Sequence, residues 1–247
     1  MNHQTIVERF RTARSDQALV VLEGIHTVKH AIRFGAELIE AVTPNVEELT
    51  RLGAEIAPDI SGWLGESVGA VPAEVFQQLA PRAPPTGVIA IAKRPKTSPT
   101  QVLSDPAPAP VVLLENPRNL LNIGAAVRVC AAAGAVGLVT TGPQDPWNPA
   151  ALIASAGLHF AVPVARAAAI GPGDRAIIVI DPNGEPLRPG LIPAGAVLAF
   201  GSERGGLSPE LTALSERRVS IPMNAGVSSL NLATSVAVVL YTWRLGR

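Results

Sequence analysis

Four continuous apolar runs of strand length, at 111–114, 135–140, 176–180 and 196–200, constrain this chain more than any other feature. A strand that faces water on one side alternates apolar and polar residues, whereas one covered on both faces reads as an unbroken apolar stretch. Separated by segments long enough for helices, the four runs predict an α/β domain on a largely parallel sheet. Helices are expected at 122–133, 149–156, 209–215 and 230–243. The signal is clearest at 208–210, where Ser208 offers a capping hydroxyl, Pro209 needs no donor and Glu210 puts a carboxylate in the first turn.

Ahead of this domain, β-favouring runs at 18–22, 38–43 and 87–92 alternate with helical patterns at 4–14, 24–34 and 73–79, which predicts a smaller α/β domain. Between the two, Pro95, Pro99, Pro106, Pro108 and Pro110 predict an extended linker without regular structure. The expected layout is therefore a domain at 1–94, a proline-rich linker at 95–110 and a domain at 111–247, a division that suits a chain of 247 residues.

Composition narrows the classes further. With 47% hydrophobic and 16% charged residues the chain is not a charge-solvated disordered one. Its 20 basic and 20 acidic side chains cancel, so a polyanion must be gripped locally. Residues 1–105 carry 10 Lys/Arg against 12 Asp/Glu, and residues 106–247 carry 10 against 8. The lone Cys130 forms no internal disulfide, and the N-terminal stretch with Arg9, Arg11 and Arg14 lacks a secretory apolar run, so a cytoplasmic location is expected. Residues 219–243 are uncharged, but Pro222, Gly226 and several Ser, Thr and Asn side chains favour a short strand followed by a buried helix over a membrane span.

His26, His30 and Glu23 could share one helical face, yet no further ligand is recognisable, and they read as an exposed face with no metal. Cys130 reads as a small buried hydrophobe. Neither a phosphate-binding loop nor a nucleophile elbow is present.

Three polar islands remain, each at the carboxyl end of an expected buried strand, where open α/β sheets place their ligands. The first runs from Glu115 through Asn116, Arg118 and Asn119 to Asn122, Gly124 and Arg128. Arg128 falls on a helix expected to be buried, where a guanidinium needs an anion. Residue type leaves open whether that anion is a structural carboxylate or a substrate. The second island, 200–207, has three glycines and contains Ser202, Glu203 and Arg204. The third, 221–231, leads into the final apolar helix, for which Ser229 could serve as a cap.

In this order the islands resemble the three motifs of the SpoU/TrmH family of ribose 2′-O-methyltransferases, in the SPOUT superfamily. The resemblance lies in Asn122-Ile-Gly124 with Arg128, in Gly201-Ser202-Glu203 with Gly206-Leu207, and in Ile221-Pro222-Met223 with Ser229-Leu230-Asn231. The N-terminal region is similar to the family's substrate-binding domain of ribosomal-protein L30e type, through Leu22-Glu23-Gly24 and Gly87-Val88-Ile89-Ala90.

The resemblance implies a catalytic domain with a deep trefoil knot, and a homodimer paired through that domain. It implies S-adenosylmethionine as methyl donor, with Gly201, Ile221 and Leu230 as cofactor-binding positions. Arg128, Asn122, Glu203, Ser229 and Asn231 become the catalytic shell. On this reading Arg128 engages the ribose hydroxyl and the neighbouring phosphate, Glu203 orients Arg128, and Ser229 and Asn231 shape the site by hydrogen bonds. A guanidinium is a poor base near neutrality, so its role is electrostatic positioning. The implied partner is structured RNA, ribosomal favoured over transfer RNA, with no membrane. Ile153 stands where many members have arginine. The competing readings are a non-catalytic RNA-binding member of the same fold and a small-molecule methyltransferase.

Overall fold

The structure, a computed structural model, describes residues 3–171 and 173–247. The chain divides into two compact units. One runs to Lys96 and takes in Ala156–Ala161; the other comprises Thr97–Ser155 and Val162–Arg247.

The first unit contains α1 (His3–Ser15), β1 (Leu19–Glu23), α2 (Ile25–Arg33), β2 (Leu38–Thr43), α3 (Val46–Ile56), α4 (Ser61–Ser67), β3 (Gly69–Ala70), α5 (Ala73–Phe76) and β4 (Ile89–Lys93). The strands form one sheet in the order β1-β4-β2-β3, with β4 antiparallel to both neighbours and β3 parallel to β2. Ile6, Phe10, Val21, Val42, Phe76, Ile89 and Ile91 build its core. The three expected strands and helices are present. Helices α3 and α4 went unanticipated, although Asn45 accepts from the backbone N–H of Glu48 in the manner of a helix cap. Glu23 is committed to an ion pair with Arg14 at 2.7 Å, a structural use of the carboxylate that faces away from any metal-site reading.

The second unit contains α6 (Pro99–Ser104), β5 (Val111–Leu114), α7 (Leu120–Ala133), β6 (Gly137–Thr140), α8 (Pro149–Ala154), β7 (Val164–Arg166), β8 (Ile177–Pro186), β9 (Val197–Phe200), α9 (Pro209–Ala213), β10 (Arg217–Ser220) and α10 (Leu232–Leu245). Its six strands lie in the order β10-β8-β9-β5-β6-β7, and every neighbouring pair is parallel. The apolar runs form the sheet's centre: β5 and β9 are adjacent and all their side chains are buried. From β5 the chain proceeds outward through β6 and β7, then returns on the other side of β5 through β8 and β9. The reversal leaves a crevice at the carboxyl ends of β5 and β9.

The expectation of a structureless linker at 95–110 is corrected by α6. Pro99 sits at the first helical position, where a missing N–H costs nothing, Ser98 caps the turn, and Val102 is buried. The rest of that stretch has no helix or strand and bends at 107–109, and Arg175 holds it by donating to the carbonyl oxygens of Asp105, Ala107 and Ala109. The last helix also begins two residues later than expected, at Leu232, because Asn231 rather than Ser229 is the cap.

Candidate active site

Each of the three islands emerges from a strand at the crevice or leads into a helix beside it. Helix α7 opens on the loop after β5: Asn119 caps it by accepting from Leu121 N, which puts Asn122 in the first turn. Helix α10 opens on Asn231, whose carbonyl oxygen accepts from the N–H groups of Ala233 and Thr234. The loop after β9 folds back on itself through paired backbone hydrogen bonds between Ser202 and Gly206, and Gly206 adopts φ 64°.

These loops meet through Glu203. Its carboxylate accepts from the backbone N–H groups of Arg118 at 3.0 Å and Asn119 at 3.3 Å, and from the Asn122 amide at 2.8 Å. Asn231 then donates its amide to the Asn122 carbonyl oxygen at 3.0 Å. Glu203, Asn122 and Asn231 thus form one hydrogen-bonded chain that joins all three islands. The arrangement leaves Asn231 with both ends in use, one capping α10 and the other fixing the orientation of Asn122.

Partial desolvation alone pushes the Glu203 carboxyl up. The hydrogen bonds from Asn122 and from the backbone at 118 and 119 outweigh it, and the pKa lies below the ordinary value. Glu203 is therefore an acceptor held as the anion near neutrality, and its negative charge sits against the amino-terminal end of α7, where a helix favours it.

Beside the chain lies an open cavity of ≈ 520 Å³, in the range of small-molecule sites. Gly201, Ile221 and Leu230 line it, as do Glu203, Ser229 and Asn231. Phe200, Ser228 and Asp181 complete much of its wall. The apolar pair Ile221 and Leu230 can receive a flat base, and the surrounding hydroxyls, amides and carboxylates can receive the polar parts of a nucleotide-sized molecule.

Gly201 is glycine for a reason internal to its own loop. A Cβ there would overlap the backbone of Gly206 and Leu207, so the residue is demanded by the loop's own fold as well as by any ligand. Gly124 plays a comparable part, since a Cβ would overlap the Ala151 carbonyl where α7 meets α8.

Arg128 is corrected on two counts. It is exposed rather than buried: α7 buries Ile123, Ala126, Val127 and Cys130, and position 128 falls outside that stripe. Nor is it a partner of Glu203, whose oxygens are taken by Arg118, Asn119 and Asn122. Among the described residues Arg128 makes no hydrogen bond or ion pair, so its charge is available. Ser229 lines the cavity and is exposed. Ile153 is exposed on α8, at 49%.

The sequence reading missed two contributors. The backbone donors at 118 and 119 have no residue-type signature. Asp181 did have one, because it directly follows the apolar run 176–180 at the carboxyl end of a strand. Among the described residues there is no group of three or more His, Cys, Asp or Glu placed to hold a metal, and no helix long and apolar enough to cross a membrane.

Comparison with known proteins adds an independent line. Residues 109–241 match the model of the SpoU rRNA methylase family. The 23S rRNA (adenosine(1067)-2'-O)-methyltransferase of Streptomyces laurentii is 30% identical over 254 residues, covering 96% of this chain and 90% of that protein. Among solved structures, an AdoMet-bound rRNA methyltransferase from Sinorhizobium meliloti is 25% identical with a TM-score of 0.75, covering 98% of this chain and 95% of that one. The SpoU methyltransferase AviRb from Streptomyces viridochromogenes, in complex with AdoMet, has a TM-score of 0.77 at 22% identity over 95% of this chain and 96% of that one, a likeness of fold.

Proposed function

This chain belongs to the SpoU rRNA methylase family, and on that premise we propose that it transfers a methyl group from S-adenosylmethionine to a ribose 2′-hydroxyl in structured RNA, ribosomal RNA before transfer RNA. The observation that carries the proposal is the Glu203–Asn122–Asn231 chain, which bonds the first motif stretch to the second and third, the two that line the cavity.

The donor fits that cavity by its chemistry. Ile221 and Leu230 offer an apolar slot for adenine, and the volume suits a nucleoside with an amino-acid tail. When bound, it supplies a methyl carbon activated by a sulfonium. The protein's share is then to hold the hydroxyl in line with that carbon, which accounts for much of the acceleration in a displacement of this kind. Asn122 keeps a fixed orientation because both its amide and its carbonyl are engaged, by Glu203 and Asn231 of the cavity wall.

Arg128 supplies positive charge for the hydroxyl's oxygen and the adjoining phosphate. A guanidinium stays protonated under physiological conditions and acts by electrostatic positioning, with the proton leaving to phosphate or water. Exposed Arg118, Arg204, Arg217 and Arg218 on the same unit can meet further phosphates. Residues 1–94 serve as the RNA-binding domain of L30e type, joined through 95–110 to the catalytic part at 111–247.

The reading extends to a trefoil knot in the catalytic part and to a homodimer in the cytoplasm. Support for the dimer comes from the unit's surface: Leu121, Val227, Tyr241 and Leu245 are exposed, with Leu245 at 80%, the first two close to Asn122 and Ser229 in sequence and the last two on α10. A second copy would cover them and bring its own Arg128 to the site.

The test is methyl transfer from labelled S-adenosylmethionine to total RNA and to small acceptors, followed by mapping of alkali-resistant riboses. Label in RNA at a defined ribose is expected. Label in small acceptors alone, or RNA binding with no transfer, would replace the proposal by one of its competitors.

A further inference from the structure

The carboxyl end of β8 departs from regular pairing beside the cavity. Arg218 of β10 pairs with Val179 and the next residue, Val219, pairs with Glu185, so residues 180–184 bulge out of the ladder with no partner on β10. The bulge is pinned at its base. Ser220 Oγ donates to the Gly184 carbonyl at 2.9 Å, and a Cβ on Gly184 would lie 2.5 Å from the Val219 nitrogen. On its other side Ile180 still pairs with Phe200 of β9, which sets Asp181 beside Gly201 across the ladder.

Asp181 lines the cavity, and one of its oxygens is spoken for: Oδ1 accepts from Asn183 N at 2.7 Å, which fixes the carboxylate's orientation. The other oxygen has no partner among the described residues. In this it differs from Glu203, the other carboxylate on the cavity, which is engaged by three donors.

From this geometry we propose that Asp181 is a donor-binding residue that takes the ribose hydroxyls of the S-adenosylmethionine nucleoside. The inference rests on the methyl-donor reading of the cavity and names a residue within it. A vicinal diol offers two O–H donors to a charged acceptor, and such bonds are among the stronger ones available to a neutral ligand. An acidic side chain at the carboxyl end of the strand next to the one that feeds a glycine-rich turn is also where a doubly wound sheet meets a ribose. Here that turn is 201–207, and Asp181 stands one strand away. Loss of the carboxylate loosens the donor before any RNA is present, so Asp181 sets donor affinity rather than the rate of transfer.

The experiment is calorimetric titration of the full chain with S-adenosylhomocysteine and with 5′-methylthioadenosine, which keeps the ribose and lacks the amino-acid tail. Asp181→Ala is expected to weaken both ligands by a similar factor of about 10 to 100. Asp181→Asn keeps an acceptor for Asn183 N and is expected to weaken both less while unfolding at the wild-type temperature. In turnover, the KM for S-adenosylmethionine should rise with kcat held within about twofold, as expected for an interaction made equally before and during transfer. Weakening of S-adenosylhomocysteine alone would move Asp181 to the amino-acid tail and overturn the assignment. Unchanged affinity for both ligands in both variants would overturn it while leaving the methyl-donor reading intact. Failure of the wild-type protein to bind either ligand would remove that reading as well.

Discussion

The Asn231 side-chain amide donates to the Asn122 carbonyl oxygen at 3.0 Å, across 109 residues of sequence, and Asn122 passes the connection to Glu203 at 2.8 Å. Each side chain has a local task, but only their junction ties the start of α7, the start of α10 and the loop after β9 into one rim. The junction makes Asn122 the residue whose side chain bridges the other two.

Asn122→Ala removes a donor to Glu203 and the acceptor of Asn231 together. Its stability should fall by only about 1 kcal/mol, since the groups it strands can reach water. Methyl transfer should fall by at least about 100-fold, the scale on which positioned dipoles act. Single-turnover rates on RNA, read with urea unfolding midpoints, check both halves. Near-normal turnover would take Asn122 out of the site.

Arg128→Ala and Arg128→Lys separate charge from geometry. The side chain is exposed and unpaired among the described residues, so both variants should keep their stability within about 0.5 kcal/mol. Transfer should nearly vanish in the alanine variant and stay well below wild type in the lysine variant, because a point charge does not replace a planar fork of donors. Sedimentation at several concentrations should give the same oligomeric state for all three proteins. A lysine variant with full activity would assign Arg128 to bulk charge alone.

Glu203 gives a pH dependence of known sign. Its pKa is lowered on folding, so the stabilisation it provides is present above the unfolded carboxylate value of about 4.3 and disappears as pH falls through the lower folded value. Wild type should therefore exceed Glu203→Gln in stability near neutrality, with the gap closing as pH drops below about 4. Solvent screening keeps the gap under about 1 kcal/mol. Denaturant midpoints at pH 7 and across the acid range measure it, and a pH-independent gap would contradict the assignment.

Gly201→Val should weaken S-adenosylhomocysteine binding by about tenfold or more, and Gly201→Ala should do nearly as much. The first carbon of any side chain already overlaps the backbone of Gly206 and Leu207, so the loop must move in either case. A stability loss of about 1–3 kcal/mol is expected from that displacement. Calorimetry and thermal unfolding of both variants check it, and unchanged affinity in the valine variant would separate the loop from the donor cavity.

The strands and the site were legible to different depths. Runs 111–114 and 38–43 match β5 and β2 end to end; in β5 burial on both faces writes an unbroken apolar stretch, while β2 shows itself by its β-favouring residues. The three-residue β7 left no such stretch. The prolines at 95–110 read as a uniform break, yet Pro99 starts α6, since a proline at the first helical position follows the rule opposite to one in the interior. Ser229 read as the candidate cap of the last helix, and Asn231 is the cap.

The sequence by itself determined the four central strands of the larger sheet, that this sheet is parallel, and which three stretches carry the family's chemistry, because apolar pattern and motif spacing are properties of neighbouring residues. Only the tertiary structure decided that Glu203 serves Arg118, Asn119 and Asn122 instead of Arg128, that Arg128 lies outside the buried stripe of α7, and that a bulge in β8 carries Asp181 to the cavity. Those outcomes depend on which strand ends stand side by side and on how far round a helix a residue falls. They are set by packing between segments remote along the chain, to which local pattern is blind.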